Sequence, residues 1–331
     1  MSTGHIIYFT NFVTNKIIVE NTNMDVFSDL FDRLYICLLK QVRPYDKQGA
    51  QLWQRRRKLR NEILRYYRRN PTADSEILAS LEYLKNRPDA VFFPAKFRDK
   101  YEYKNIFLDF DGDGTPYWAM TSGKRLFFLP GPPDKVKMSI NDLLIEQDEH
   151  SPHRYLTKEF NLGPEDVLVD VGSAEGILSL QYVDRVKKVY LFESDPAWVN
   201  ILHKTFAPWG DKVTIVSKFV SDKDDAENIR LDSFFKKEGI TPSFLKLDVE
   251  GGELNVLKGM KGILDEGKPI KIAACAYHLC DEYKCLKEYA ERHGYRYETS
   301  EGLMLFGLYD GNQAPYFRRG MLRMWANEIE Q

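Results

Sequence analysis

Cysteine is scarce. Four residues in a chain of 331 cannot make a disulfide framework, so the core must hold the fold, and a reducing, cytoplasmic setting is expected. Long apolar runs are missing too. No stretch approaches the roughly 18 consecutive apolar residues of a membrane span, and the opening MSTGHIIYFTNFVTNKII lacks a basic start followed by an uninterrupted apolar core, which argues against an export signal. Nor does one sign of charge dominate. With 47 Lys and Arg against 49 Asp and Glu, a net charge of -2 draws neither nucleic acid nor anionic lipid, and such a partner would need a local patch. Repeats and low-complexity tracts are absent as well. What is present is a globular composition, 43% hydrophobic and 13% aromatic, enough to bury more than one minimal core.

The pattern along the chain changes twice. From about residue 23 to 87 apolar residues recur at helical spacing, in MDVFSDLFDRLYICLLKQV and again in QLWQRRRKLRNEILRYYRRN through Leu52, Leu59, Ile63 and Tyr66. NRPDAVFFPAKF then breaks the helices with proline, and from about 90 to 130 aromatic and β-branched runs alternate with turn residues, which predicts hairpins. After about residue 150 short apolar strands alternate with helical stretches, the signature of βαβ units on a parallel sheet. The expected organisation is a helical and β-hairpin accessory or substrate domain over 1–150, an α/β domain over 151–315 and a carboxyl-terminal tail over 316–331. The connector EQDEHSPHRYL, with His150, His153, Arg154 and Tyr155, is expected to lie as a lid over the site.

In the α/β region DVLVDVG feeds SAEGILSL, so Gly172 and Gly176 bracket a strand-to-helix turn in which glycine permits close backbone approach. The next strand, KKVYLFESD, ends in Glu193, 21 residues beyond Gly172, the offset at which a carboxylate can accept both hydroxyls of a ribose. Together these features indicate an adenosine-containing cofactor. The further glycine of the dinucleotide fingerprint is missing: Ser173 and Glu175 stand in the turn, and a glutamate there repels a pyrophosphate. S-adenosylmethionine has no phosphate, and its ammonium and sulfonium groups suit an acidic loop that begins at Asp170. Asp170, Gly172, Ser173 and Gly176 are therefore expected at the methionine end, Glu193 and Ser194 at the ribose, and Phe219, Val220 and Ser221, from the third strand VTIVSKFVSD, at the adenine.

A second cluster of carboxylates and glycines closes another strand, in FLKLDVEGGELNVLKGM. Period-two alternation puts Lys246, Asp248 and Glu250 on one face, and a lysine inside a central strand needs a partner, for which Asp248 is the expected one. Gly251 and Gly252 let the chain turn, and Glu253 suits a helix amino terminus. Ligands of open parallel sheets sit outside the strands' carboxyl ends, so Lys246, Asp248 and Glu250 are candidate site residues. The following strand, IKIAACAYHLCDEY, ends in His278, whose ordinary pKa suits the removal of a proton from a methyl acceptor. His278 is the first candidate base, with Asp248 and Glu250 in competition.

The blocks Asp170-Val171-Gly172, Glu193 and Lys246-Leu247-Asp248-Val249-Glu250-Gly251, followed by Glu253, Val256, Leu257 and Gly259, resemble those of the FkbM family of S-adenosylmethionine-dependent methyltransferases over about residues 145–310. Ser173-Ala174-Glu175 and Ser194-Asp195-Pro196 depart from that pattern. The resemblance implies a Rossmann-like class I methyltransferase fold, a mostly parallel doubly wound sheet here carrying an amino-terminal helical and β-hairpin extension. It also implies S-adenosylmethionine as cofactor and, as partner, a hydroxylated small molecule, sugar or glycan that is methylated on oxygen.

Other motifs have plainer explanations. DFDGDG opens like a calcium loop, but its twelfth position is Met120 rather than a glutamate, so a hairpin turn is expected. Cys275, His278, Cys280 and Cys285 lack paired zinc spacing, and no metal is expected. The basic run of Arg55, Arg56, Arg57, Lys58, Arg60, Arg65, Arg68 and Arg69 reads as a solvated or interdomain helix face, which leaves an anionic partner open. Two other functions use the same glycine turn. A noncatalytic scaffold that binds S-adenosylmethionine fits the long accessory region, and a nicotinamide-dependent oxidoreductase fits the turn but not the Lys-x-Asp-x-Glu-Gly block.

Overall fold

The computed structural model describes residues 47–307 and 312–327, so the helix expected in MDVFSDLFDRLYICLLKQV lies outside the described residues. Helix α1 (Lys47–Arg69) packs through Leu59, Ile63 and Tyr67 against Leu81 and Leu84 of α2 (Ser75–Lys85). Asp74 starts α2 by accepting the N–H groups of Glu76 and Ile77 at 2.9 and 3.1 Å, two donors that a helix's first turn otherwise leaves unpaired. Strands β1 (Asp109–Phe110), β2 (Pro116–Ala119) and β3 (Arg125–Phe127) then form an antiparallel sheet, followed by α3 (Pro133–Glu146).

The α/β region follows in order: β4 (Val167–Val171), α4 (Ile177–Tyr182), β5 (Lys188–Phe192), α5 (Pro196–Phe206), β6 (Val213–Val216), β7 (Phe219–Val220), β8 (Asn228–Ile229), α6 (Leu231–Glu238), β9 (Phe244–Leu247), α7 (Glu253–Gly259), α8 (Lys261–Asp265), β10 (Ile270–Cys275), α9 (Glu282–Arg292), β11 (Arg296–Thr299) and β12 (Met321–Ala326). Seven of these strands make one sheet in the order β11-β12-β10-β9-β4-β5-β6. All neighbours in it pair parallel except β12, which runs antiparallel to both β10 and β11. This is the Rossmann-like class I methyltransferase architecture, with the sequence order reversing between β4 and β9, where a ligand crevice forms.

Alternation along the strands divides the core in two. Val167, Val169 and Val171 of β4 face the helices α6 to α9 with Leu245, Leu247, Ile272 and Ala274. Leu168, Phe244, Ala273 and Cys275 face the opposite side and meet α3 through Val136, Ile140 and Ile145. Phe93, Ile106, Leu126 and Phe128 belong to that same core, so residues from about 90 onward are packed continuously with the sheet.

Three expectations are corrected. Residues 316–331 are not simply a tail, because β12 is an interior strand whose residues Met321–Ala326 are all buried. VTIVSKFVSD is not one strand: Lys218 donates its N–H to Val216 O at 3.1 Å, which turns the chain, and Phe219–Val220 pair instead with Asn228–Ile229. The connector is not a surface lid either, since Ser151, His153, Tyr155 and Leu156 are buried and Arg323 of β12 donates to the carbonyls of Arg154 and Tyr155.

Candidate active site

The turn after β4 is tied to both neighbouring strands. Gly172 and Ser173 donate their N–H groups to Phe192 O at 3.0 and 3.1 Å. Gly172 has φ +72°, and a Cβ there would sit 2.0 Å from the carbonyl oxygen of Asp248. Contact between two strand ends, rather than room for a ligand alone, therefore demands this glycine. Ala174 takes a left-handed φ of 44° and donates its N–H to Glu193 Oε2 at 2.9 Å, while Glu193 Oε1 accepts from Asp195 N at 2.8 Å. Glu193 thus stands at the crevice beside the turn, half-buried.

Lys246 does not pair with Asp248. The register of β4 and β9 sets Asp170 directly opposite Lys246, and their charges meet at 3.0 Å with side chains only 1% and 5% exposed. Burial works against the lysine's charge, but Asp170 and Asp248 raise its pKa overall. Asp170 also accepts from Ser179 Oγ at 2.7 Å. The pair is a buried strut beneath the crevice. The alternation expected through Glu250 fails because β9 stops at Leu247; Glu250 has φ 55° and a side chain 83% exposed.

Asp248, one residue past the strand, is boxed by aromatic and imidazole groups. Its Oδ2 accepts from Tyr155 OH at 2.8 Å and lies 3.5 Å from His153 Nε2, and its Oδ1 lies 3.3 Å from His278 Nε2. Burial opposes ionisation, yet these contacts and Lys246 hold the carboxyl well below the usual range. On its other side the His278 ring faces Glu253 Oε1 at 3.2 Å and Glu282 Oε2 at 3.7 Å. Burial alone would discharge the ring, but Asp248 and Glu253 push its pKa up to about 10. The carboxylates around the ring favour its charged form, which argues against His278 as the group that takes the acceptor's proton.

Comparison with known proteins bears on this arrangement. Residues 205–297, which carry Asp248, Glu253, His278 and Glu282, match the family described as Methyltransferase FkbM domain. The chain carries an FkbM methyltransferase domain. No curated protein sequence matches the chain. Similar solved structures include an rRNA methylase from Streptococcus thermophilus (14% identity, 50% of this chain and 90% of that one, TM-score 0.34). Others are a putative methyltransferase from Streptococcus mutans in complex with SAH (12%, 57% and 96%, 0.34) and a putative tRNA (m1A22) methyltransferase from Streptococcus pneumoniae in complex with S-adenosyl-L-methionine (16%, 51% and 70%, 0.34).

Around the FkbM domain the remaining candidates divide. Ser173 is buried, its hydroxyl donating to Asp170 O at 2.8 Å. Ser194 and Val220 are half-buried, Phe219 is exposed, and Ser221 donates to Asn228 Oδ1 at 3.2 Å. Two groups have a raised proton affinity that the sequence reading did not anticipate. Glu146, at the end of α3, and Glu175, in the glycine turn, are both pushed up to about 7, first by burial and then by neighbouring carboxylates that include Asp248 for Glu146 and Glu146 for Glu175. Glu146 lies about 100 residues from Asp248 in the chain, so only the packing of α3 on the sheet reveals it; Glu175 carried a signal as an acid where the fingerprint has glycine.

The calcium-like loop holds a cation of its own: Lys204 Nζ of α5 donates to Asp111 Oδ2 at 2.8 Å, to Thr115 Oγ1 at 2.7 Å and to Asp113. Part of the basic run is also structural, since Arg56 pairs with Asp89 at 2.9 Å and Arg60 donates to Leu84 O and Lys85 O. Donor atoms of Asp248, Glu253 and His278 lie within 4.8 Å of one another, as do those of His153, Asp248 and Cys275.

Proposed function

We propose that this protein uses S-adenosylmethionine to methylate a hydroxyl group of a small molecule, sugar or glycan in the cytoplasm. The observation that carries the proposal is an excess of carboxylate at the crevice. Burial, with the charge of Asp248 acting on Glu146 and that of Glu146 acting on Glu175, pushes both glutamates up to about 7. Such a site gains from a cation and repels a pyrophosphate. The donor set therefore fits S-adenosylmethionine and disfavours a dinucleotide, the nicotinamide alternative.

When bound, S-adenosylmethionine supplies an electrophilic methyl group on a sulfonium. Glu193, already oriented by the N–H groups of Ala174 and Asp195, would hold the ribose hydroxyls. The Gly172–Gly176 turn with Glu175 would hold the methionine end, and Phe219, Val220 and Ser221 would border the adenine. Asp248 would face the reacting centre, oriented by Tyr155 and His278. The acceptor's proton would pass to Glu146, whose carboxylate is pushed up to about 7, because Asp248 is held well below the usual carboxylate range and the neighbours of His278 favour its charged form.

Residues 1–150 would select the acceptor. A cleft of about 320 Å³ in that region is lined by Tyr101, Asn105, Phe107, Trp118, Asn141 and Leu144, and Phe107 is 87% exposed. Aromatic faces beside amides suit the alternating C–H and hydroxyl surface of a saccharide. Calorimetry with S-adenosylmethionine and with NADH tests the cofactor: micromolar binding of the first alone is expected, and binding of NADH alone would refute it. Formation of S-adenosylhomocysteine on incubation with a panel of sugars and glycans separates an enzyme from a noncatalytic scaffold.

A further inference from the structure

His278 lies between Asp248 and two carboxylates, Glu253 and Glu282, that the methyl-transfer scheme above does not use. Glu253 begins α7 and is fully buried, and Glu282 begins α9 and is 4% exposed. Their backbone duties are specific. Glu253 Oε1 accepts from Val249 N at 3.0 Å, which ties it to the chain immediately after Asp248. Glu282 Oε2 accepts from His278 N at 2.7 Å and from Leu279 N at 3.3 Å. From these anchored positions both carboxylates approach His278 Nδ1, at 3.2 and 3.7 Å, while Nε2 on the far side of the ring approaches Asp248 at 3.3 Å and the exposed Glu250 at 3.8 Å. The guanidinium of Arg318 donates to the carbonyls of Tyr277 and His278. Tyr277 and Phe306 enclose the ring, with centroids at 4.1 and 5.4 Å.

We propose that Glu253 and Glu282 are positioning residues for methyl transfer, acting through His278 to fix the orientation of the Asp248 carboxylate at the crevice. The chain of contacts runs from the core outward: two anchored acids set the ring, and the ring sets Asp248 from one side while Tyr155 and His153 set it from the other. The carboxylates of Asp248 and Glu253 face different ring nitrogens, which suits a ring carrying two protons better than a metal shared by the three residues. Burial supports a division of labour between the acids. Glu282 is raised to about 8, first by burial and then by Glu253, whereas His278 helps hold Glu253 below its usual range against burial. Burial and the neighbouring charges thus favour a charged Glu253 and a charged His278 beside a neutral Glu282. The proposal rests on the methyltransferase function only in assigning a purpose to Asp248.

Glu253→Gln and Glu282→Gln each keep an oxygen for the backbone N–H groups now bonded there, so a purely structural role would be spared while the carboxylate is lost. The test is ¹⁵N spectroscopy of the histidine rings in the full chain, without ligand, across pH 6 to 10.5. In the wild type His278 should show two protonated nitrogens through pH 8. In Glu253→Gln its proton affinity should fall at least about 10-fold, the effect of removing one close opposite charge. Glu282→Gln, already neutral at that acid, should change it less than 3-fold. A neutral His278 ring in the wild type at pH 7.5, or an unchanged titration in Glu253→Gln, would overturn the proposal, as would one equivalent of Zn²⁺ displacing the ring protons at neutral pH. A separate calorimetric arm uses S-adenosylmethionine as probe. Wild-type binding that weakens about 3-fold or more in Glu253→Gln supports the path to Asp248, and equal affinity in the two proteins overturns it. Absence of binding to the wild type, with the ring titration as expected, would instead sink the proposed cofactor and remove the purpose assigned to the positioning.

Discussion

Replacing Asp170 by asparagine keeps the size of the side chain and an oxygen for the Ser179 hydroxyl, but leaves Lys246 charged inside the sheet. At the observed 3.0 Å, two unit charges attract by about 5 kcal/mol at an effective dielectric of about 20. Both side chains are almost wholly buried, so solvent cannot replace the lost partner, and among the described residues Gly172 O alone remains within hydrogen-bonding reach of the ammonium. Removing one member of a buried pair costs about 3–5 kcal/mol, whereas removing both is close to neutral. Asp170→Asn should thus be destabilised by about 3–5 kcal/mol, which in a chain of this size lowers Tm by about 4–7 °C. Lys246→Met should suffer comparably, and the double variant should recover most of the loss. Urea unfolding followed by circular dichroism on all four proteins gives the coupling directly. A single-variant loss below about 1 kcal/mol, or a double variant as unstable as the sum of the singles, would refute the strut.

Glu193→Ala should weaken S-adenosylmethionine binding by about 1–3 kcal/mol through loss of charged hydrogen bonds; calorimetry on folded protein that finds no change would remove Glu193 from the site. Stability should fall with alkali: the folded pKa of about 10 for His278 exceeds the unfolded value of about 6.5, so its contribution is complete below about pH 6.5 and is lost as pH rises through 10. Urea midpoints that stay flat from pH 7 to 10 in the wild type would contradict this. Because Glu146 and Glu175 sit near 7, cofactor binding should release protons and tighten between pH 5.5 and 7.5, which calorimetry in buffers of different ionisation enthalpy detects. Trp118→Ala should raise KM for the acceptor about 10-fold with the cofactor's Kd unchanged, the expected consequence of deleting an aromatic contact in the cleft; equal KM values would detach the cleft from acceptor selection.

Much of the fold was legible because local pattern and tertiary packing agree. Strands such as VLVDV and IKIAAC, apolar but for one charged residue each and separated by helical stretches, announce a parallel sheet buried on both faces, and the acidic strand ends mark its crevice. The misread pairing of Lys246 shows the limit of that logic. Alternation along one strand names the face a side chain occupies but not its neighbour, which is chosen by the register between β4 and β9. Glu146 was hidden for the same reason, lying on a helix whose docking on the sheet no periodicity reports. β12 was lost because MLRMWA follows a proline and glycine-bearing stretch and carries an arginine in the middle. That arginine is satisfied by two backbone carbonyls and Glu298, partners invisible in a one-dimensional pattern.

The antiparallel strand β12 has a consequence for synthesis. In the large sheet β11 pairs only with β12, and the connector bearing Tyr155 is gripped by Arg323 of the same strand. While a ribosome is still making residues 296–320, β11 has no seat and Tyr155 no clamp, although β4, β5, β6, β9 and β10 are already available to assemble. At about 5–20 residues per second, the nascent chain spends seconds with β10 as an open edge, a template for wrong pairing. Arrival of six residues, Met321–Ala326, closes that edge, seats β11 and locks the connector carrying the Tyr155–Asp248 hydrogen bond in one event. A chain cut short before this strand would accordingly fail as a whole, presenting exposed sheet to proteases and chaperones instead of lingering as a partly working enzyme.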